Sequence, residues 1–163
     1  MYPEHIVLPM KEDLTVAGFE DVTTPTRVDE LIDSNKSSED ETLLLVINSV
    51  CGCAAANARP GAKMAVHYGS KKPAKLATVF AGFDIGAVAR ARQYTLPYPP
   101  SSPSMALFKN GKLVHFIERH QIEGVSAQQI AKGLMDAFEK YYHEDVSMQE
   151  NELPPTVGKE ANR

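Results

Sequence analysis

An apolar run, Leu43-Leu44-Leu45-Val46-Ile47, leads into Cys51-Gly52-Cys53 and passes at once into Ala54-Ala55-Ala56. Residues 42–49 read as a buried strand, because no polar position interrupts the apolar stretch. The alanines read as a helix, where alanine carries the least entropic cost. The two thiols, the only cysteines in 163 residues, therefore fall at a strand-to-helix turn. Unpaired backbone N–H groups and the helix dipole favour negative charge at such a turn. A thiolate is stabilised there, and the thiolate is the nucleophile.

Three structural readings compete with reactivity. Two cysteines can be small buried hydrophobes, although a Cys-Gly-Cys at a turn is not an apolar packing pattern. They can bind zinc, which requires four ligands, but His5, His67, His115, His120 and His143 show no ligand spacing. They can form a static disulfide. A ring closed one residue apart is tighter than a Cys-x-x-Cys ring, and departures from relaxed geometry make the bond easier to reduce. Such a bond suits a redox centre better than a staple.

The length of 163 residues is that of one domain with a sizeable core. A hydrophobic fraction of 43% beside 23% charged residues is ordinary for a globular protein. With 17 basic against 21 acidic residues and a net charge of −4, no basic stripe points to nucleic acid. No apolar run approaches a membrane span. Residues 1–5 lack the basic-then-apolar pattern of a signal peptide, so the expected compartment is the cytoplasm. Cysteine pairs there tend to be catalytic, redox-sensing or metal-binding.

Along the chain, a short helix is expected from about Pro9 to Gly18, with proline in its first turn. Thr24-Pro25-Thr26 opens a second helix, and 34–41 reads as a polar loop. After the cysteines, Arg59-Pro60-Gly61 reads as an internal helix break. Residues 75–82 form a second buried strand, and 85–94 a helix with Asp84 as its N-cap. This alternation implies parallel strands in an α/β layer fold. A proline-rich loop over 96–103 precedes a strand at 104–108, an Asn110-Gly111 hairpin turn and a return strand at 113–117. An amphipathic helix over 126–142, capped by Ser126, closes the domain at about residue 144. Residues 145–163 are polar and read as a loose tail.

These elements resemble a thioredoxin-like fold: a central mixed β-sheet flanked by helices, here with an extra N-terminal helix. The dithiol at a helix start and Pro103 directly before a strand carry the likeness. Ser49-Val50-Cys51-Gly52-Cys53-Ala54-Ala55, the run at 100–107 and His115-Phe116-Ile117-Glu118-Arg119-His120 look like the bacilliredoxins, small bacterial redox proteins. The resemblance covers about residues 6–143. It implies that Cys51 attacks the mixed disulfide of a protein with bacillithiol or another low-molecular-weight thiol, and that Cys53 resolves the product. Ser102 and Pro103, joined by a cis peptide bond, are implied to shape the substrate groove, with Gly52 leaving the approach open. S-thiolated proteins and a small thiol are the implied partners, the thiol serving as co-substrate with no bound cofactor. Disulfide isomerisation is the related alternative. A metal- or cluster-binding carrier using Cys51 and Cys53 is the alternative of a different class.

Thioredoxin carries a buried acid where this chain has Leu45. Asn48 is the nearest polar strand residue and reads as a satisfied structural amide. Arg59, two turns into the helix, is expected to be too far away to act on Cys51. Thiolate stabilisation is therefore expected mostly from backbone N–H groups.

Overall fold

The computed structural model describes residues 1–143, so the tail expected at 145–163 lies outside the described residues. In chain order the elements are α1 (Glu4–Thr15), β1 (Glu20–Asp21), α2 (Pro25–Ser37), β2 (Thr42–Asn48), α3 (Arg59–Tyr68), β3 (Lys75–Phe80), α4 (Ile85–Tyr94), β4 (Ser104–Lys109), β5 (Lys112–Ile117) and α5 (Ala127–His143). A π-helical turn, Ala54–Ala58, precedes α3, and a 3-10 turn, Arg119–Gln121, follows β5.

All seven residues of β2 are buried because helices cover both faces of the sheet. Leu44 and Val46 pack with Ala62 and Ala65 of α3 and with Ile130, Leu134 and Phe138 of α5. Leu43, Leu45 and Ile47 point the other way, onto Val28, Leu31 and Ile32 of α2 and Ala87, Val88 and Ala91 of α4. The strand order is β1-β3-β2-β4-β5. Strand β3 runs parallel to β2 and to β1, while β4 is antiparallel to both β2 and β5. This is the thioredoxin-like mixed sheet, with α1 as the additional N-terminal helix. Among the described residues, no helix is long and apolar enough to cross a membrane.

Local rules hold where the chain decides its own conformation. Asn110 and Gly111 adopt φ of 53° and 75°, the left-handed pair that a two-residue hairpin turn needs. Thr24 Oγ1 accepts a hydrogen bond from the Arg27 N–H at 3.2 Å to start α2. Ser126 Oγ accepts one from the Gln129 N–H at 3.1 Å to start α5.

Elsewhere packing overrides the local expectation. Helix α1 begins at Glu4, before Pro9, and carries the proline inside. Burial of Val7, Lys11 and Leu14 along one face outweighs the hydrogen bond that Pro9 cannot make. Helix α2 continues to Ser37, into the expected loop, where Asn35 is buried and donates to the Glu41 carbonyl at 3.0 Å. The two exposed residues of β1 carry no apolar pattern and escaped the strand reading.

Asp84 does not cap α4 with its side chain. Its carboxylate instead accepts from the Phe80 N–H at 3.2 Å and pairs with Lys11 Nζ at 2.9 Å.

The expected break at 59–61 is also corrected. Helix α3 starts at Arg59, directly after the π turn, and carries Pro60 at its second position, so the irregular turn precedes the proline and the chain stays helical through it. Gly61 is there for packing. A Cβ at this position would lie 2.7 Å from Ile130 Cγ2 and 2.9 Å from Ile130 Cβ, so the glycine sets how closely α3 approaches α5. Gly61→Ala should therefore destabilise the fold by about 1–3 kcal/mol, even though alanine favours helix. The measurement is the denaturant midpoint, and an unchanged or raised midpoint would contradict this packing.

Candidate active site

Strand β2 ends at Asn48, and its pairing with β4 sets Ile47 opposite Ser104. The residues just before Ser104 thus flank those just after Asn48. The Ser102–Pro103 peptide bond is cis as expected, and Leu96–Pro97 is cis as well. Pro103 is buried and Ser102 is half-buried.

Across this junction the chain turns through residues 49–53 into the π turn, and the Cys51 carbonyl accepts from the Ala54 and Ala55 N–H groups at 3.1 and 3.3 Å. Cys51 therefore stands at the start of the helical segment. Both cysteines are free thiols and half-buried, with sulfurs 2.7 Å apart. Cys53 also packs against the core that β2 shares with α3 and α5. Gly52 is exposed, and a Cβ there would meet nothing within 4 Å. Between the two cysteines, then, nothing crowds the outer side of the turn.

Residues around the turn bind it from beneath. Asn48 Nδ2 donates to the Met10 carbonyl of α1 at 3.1 Å, and its Oδ1 accepts from the Ser49 N–H at 2.8 Å. Asn48 is thus the satisfied structural amide expected. The buried Arg59 donates from Nη1 to Asn48 Oδ1 at 3.0 Å and to the Ser49 carbonyl at 2.9 Å. Its Nε donates to Asp13 Oδ2 at 3.1 Å, and Lys63 Nζ reaches Asp13 Oδ1 at 2.7 Å. Burial resists ionisation of Asp13, but Lys63 and then Arg59 together hold its carboxyl below the usual range. Leu45, at the position of thioredoxin's acid, is buried in the core.

The two thiols differ in acidity. Burial is the largest single influence on Cys51 and opposes its thiolate. The Cys53 thiol, the Ser49 hydroxyl, the Ala54 N–H and the charge of Arg119 together outweigh burial, so the Cys51 pKa falls below that of an ordinary thiol. Cys53 is pushed up to about 11, first by burial and then by its hydrogen bond with Cys51 and by the Cys51 charge.

The expectation that backbone N–H groups dominate is therefore revised. One backbone group contributes, but it ranks behind a neighbouring thiol and a hydroxyl. Arg59 acts as expected in one respect: it spends its hydrogen bonds on Asp13, Asn48 and Ser49, and Cys51 is not among its partners.

Two residues gained a role that the sequence reading had not assigned. Ser49 Oγ accepts from the Cys51 N–H at 3.2 Å while its hydroxyl serves the Cys51 sulfur. Arg119, at the exposed start of the 3-10 turn, donates from Nη1 to the Ser102 carbonyl at 3.3 Å and from Nε to Glu123 Oε1 at 2.6 Å. Both residues lie inside the runs that carried the family likeness, and that was their only signal.

Among the described residues there is no group of three or more His, Cys, Asp or Glu placed to hold a metal ion. The arrangement suits thiol–disulfide exchange: an activated sulfur, a protonated neighbour within reach and an open approach. Ser49→Ala should move thiolate formation at Cys51 to higher pH and slow its alkylation at neutral pH by roughly three- to tenfold, the loss of one ordinary hydrogen bond. Thiolate absorbance against pH reads the shift. A titration curve that coincides with that of the unaltered protein would remove Ser49 from the site.

The family model described as Disulphide isomerase matches residues 2–142. A bacilliredoxin of Cytophaga hutchinsonii is 54% identical over 140 residues, covering 86% of this chain and 99% of that protein. A bacilliredoxin of Salinibacter ruber is 49% identical over 140 residues, 86% of this chain and 81% of its own. One from Bacillus cereus is 49% identical over 139 residues, 85% of this chain and 94% of its own.

Proposed function

The chain belongs to the Disulphide isomerase family, and from that membership we propose that it removes bacillithiol, or a similar small thiol, from protein mixed disulfides, with Cys51 attacking and Cys53 resolving. A thiol–disulfide redox role is what the family and its bacilliredoxin relatives have in common. The observation that carries the finer reading is the divergent acidity of two sulfurs 2.7 Å apart, Cys51 shifted below an ordinary thiol and Cys53 pushed up to about 11.

In the proposed reaction the Cys51 thiolate attacks the small thiol's sulfur in the mixed disulfide. A Cys51–S-thiol bond forms, the old S–S bond breaks, and the target cysteine leaves as a thiolate that takes a proton from water. Two routes then clear the site. Cys53, after losing its proton, attacks Cys51 Sγ, closing the Cys51–Cys53 disulfide and releasing the small thiol. Alternatively a second small-thiol anion attacks the cap and leaves as the symmetric small-thiol disulfide, restoring Cys51. The first route oxidises the protein, and two further small thiols are needed to reduce it.

Ring size favours decapping over reduction of stable protein disulfides. A disulfide between cysteines one residue apart is easily reduced, so the dithiol is a weak reductant. A cap on Cys51 closes no ring. Isomerisation, supported by the family's description, begins with the same attack on a protein disulfide. The free thiol pair suits a reducing compartment, and we place the protein in the cytoplasm.

The test is to mix Cys53→Ala with a bacillithiol-capped protein and weigh both products. The cap should appear on Cys51 while the target returns to its free thiol. A target that keeps its cap would reject decapping. If Cys51 then attacks only scrambled protein disulfides, isomerisation takes its place.

A further inference from the structure

Arg119 is held at the mouth of the thiol site by contacts that leave part of its guanidinium unused. The pairing of Met105 with Ile117 brings the end of β5 beside the start of β4, at the same end of the sheet as the cysteine turn. The Arg119 N–H donates to Ser101 Oγ at 3.4 Å, and its Nη1 donates to the Ser102 carbonyl at 3.3 Å. Asn57 Nδ2, in the π turn after Cys53, donates to the Ile122 carbonyl at 3.0 Å and so ties the Arg119 segment to the cysteine helix. Nε is taken by Glu123, but no protein group among the described residues accepts from Nη2. The Arg119 side chain is 46% exposed.

We propose that Arg119 recognises a carboxylate on the small thiol being transferred, making the site selective for carboxylate-bearing thiols over neutral ones. The unpaired Nη2 can donate to a carboxylate that the charge of the guanidinium attracts. Glu123 holds Nε, on the edge that Nη2 shares, and an ion pair this exposed is held weakly, so the group can turn toward an incoming anion. Glu123 is then a competitor that sets the strength of the preference. The charge of Arg119 also favours the Cys51 thiolate, an effect that accelerates every reagent alike. The recognition therefore resides in the ratio between an anionic and a neutral reagent of the same size.

This assignment rests on the decapping reading, but its test does not use decapping. The reduced full-length protein is alkylated at neutral pH and low salt with iodoacetate and, separately, with iodoacetamide, and modification of Cys51 is followed by mass. Relative to the unaltered protein, Arg119→Gln should lower the iodoacetate-to-iodoacetamide rate ratio roughly three- to tenfold. Arg119→Lys, which keeps the charge, should retain much of it. Glu123→Gln should raise the ratio, and added salt should bring all the proteins together. An unchanged ratio in Arg119→Gln would overturn the assignment even if decapping succeeds. A changed ratio in a protein that fails to decap would reject the decapping reading and leave the carboxylate preference standing.

Discussion

A single buried guanidinium joins the parts of the chain that make up the site. Arg59 is 5% exposed, and its hydrogen bonds reach Asp13 on α1, Asn48 at the end of β2 and the carbonyl of Ser49. A buried charge without such partners would be strongly destabilising, so these acceptors have to be where they are. Through Ser49 the constraint passes to Cys51, whose backbone N–H and sulfur both meet the Ser49 hydroxyl. The extra N-terminal helix is therefore part of the support of the cysteine turn: it supplies Asp13 to Arg59 and the Met10 carbonyl to Asn48. Where thioredoxin uses a buried acid beneath its cysteines, Leu45 leaves only packing, and the polar work moves to the layer that Arg59 organises.

How much of this was legible in the sequence follows from the range of the interactions involved. The five-residue apolar run of β2, the Asn110-Gly111 turn and the Thr24 and Ser126 caps depend on near neighbours, and each formed where its residues predicted. Gly61 and Pro60 carry the same local signal as a helix break, yet the glycine serves Ile130, some seventy positions away in sequence. Asp84 has the composition of a cap and is taken instead by Lys11. Strand β1 is made by the edge of β3, since nothing in Glu20 and Asp21 favours a strand. In each case a long-range contact outweighed a local preference, and a single sequence does not display such contacts.

The site divides along the same line. Two cysteines one residue apart at a strand-to-helix turn identify themselves by residue type and position. Serine and arginine are too common to do so. Ser49 matters because the turn folds its hydroxyl back onto Cys51, and Arg119 because β4 and β5 carry it to the mouth of the site.

The hydrogen bond between the two sulfurs also imposes an order of events. While Cys51 is free, Cys53 is kept protonated by burial, by that bond and by the charge on Cys51. Once Cys51 is covalently capped, its charge and its capacity to receive the Cys53 proton disappear together. Only burial and Glu123 then oppose the Cys53 thiolate, while Arg119 still favours it. In the proposed reaction the second sulfur is therefore silent until the first is occupied and gains acidity at that moment, so a substrate arriving at an empty site would meet one nucleophile and the complex that follows would contain the means of its own release.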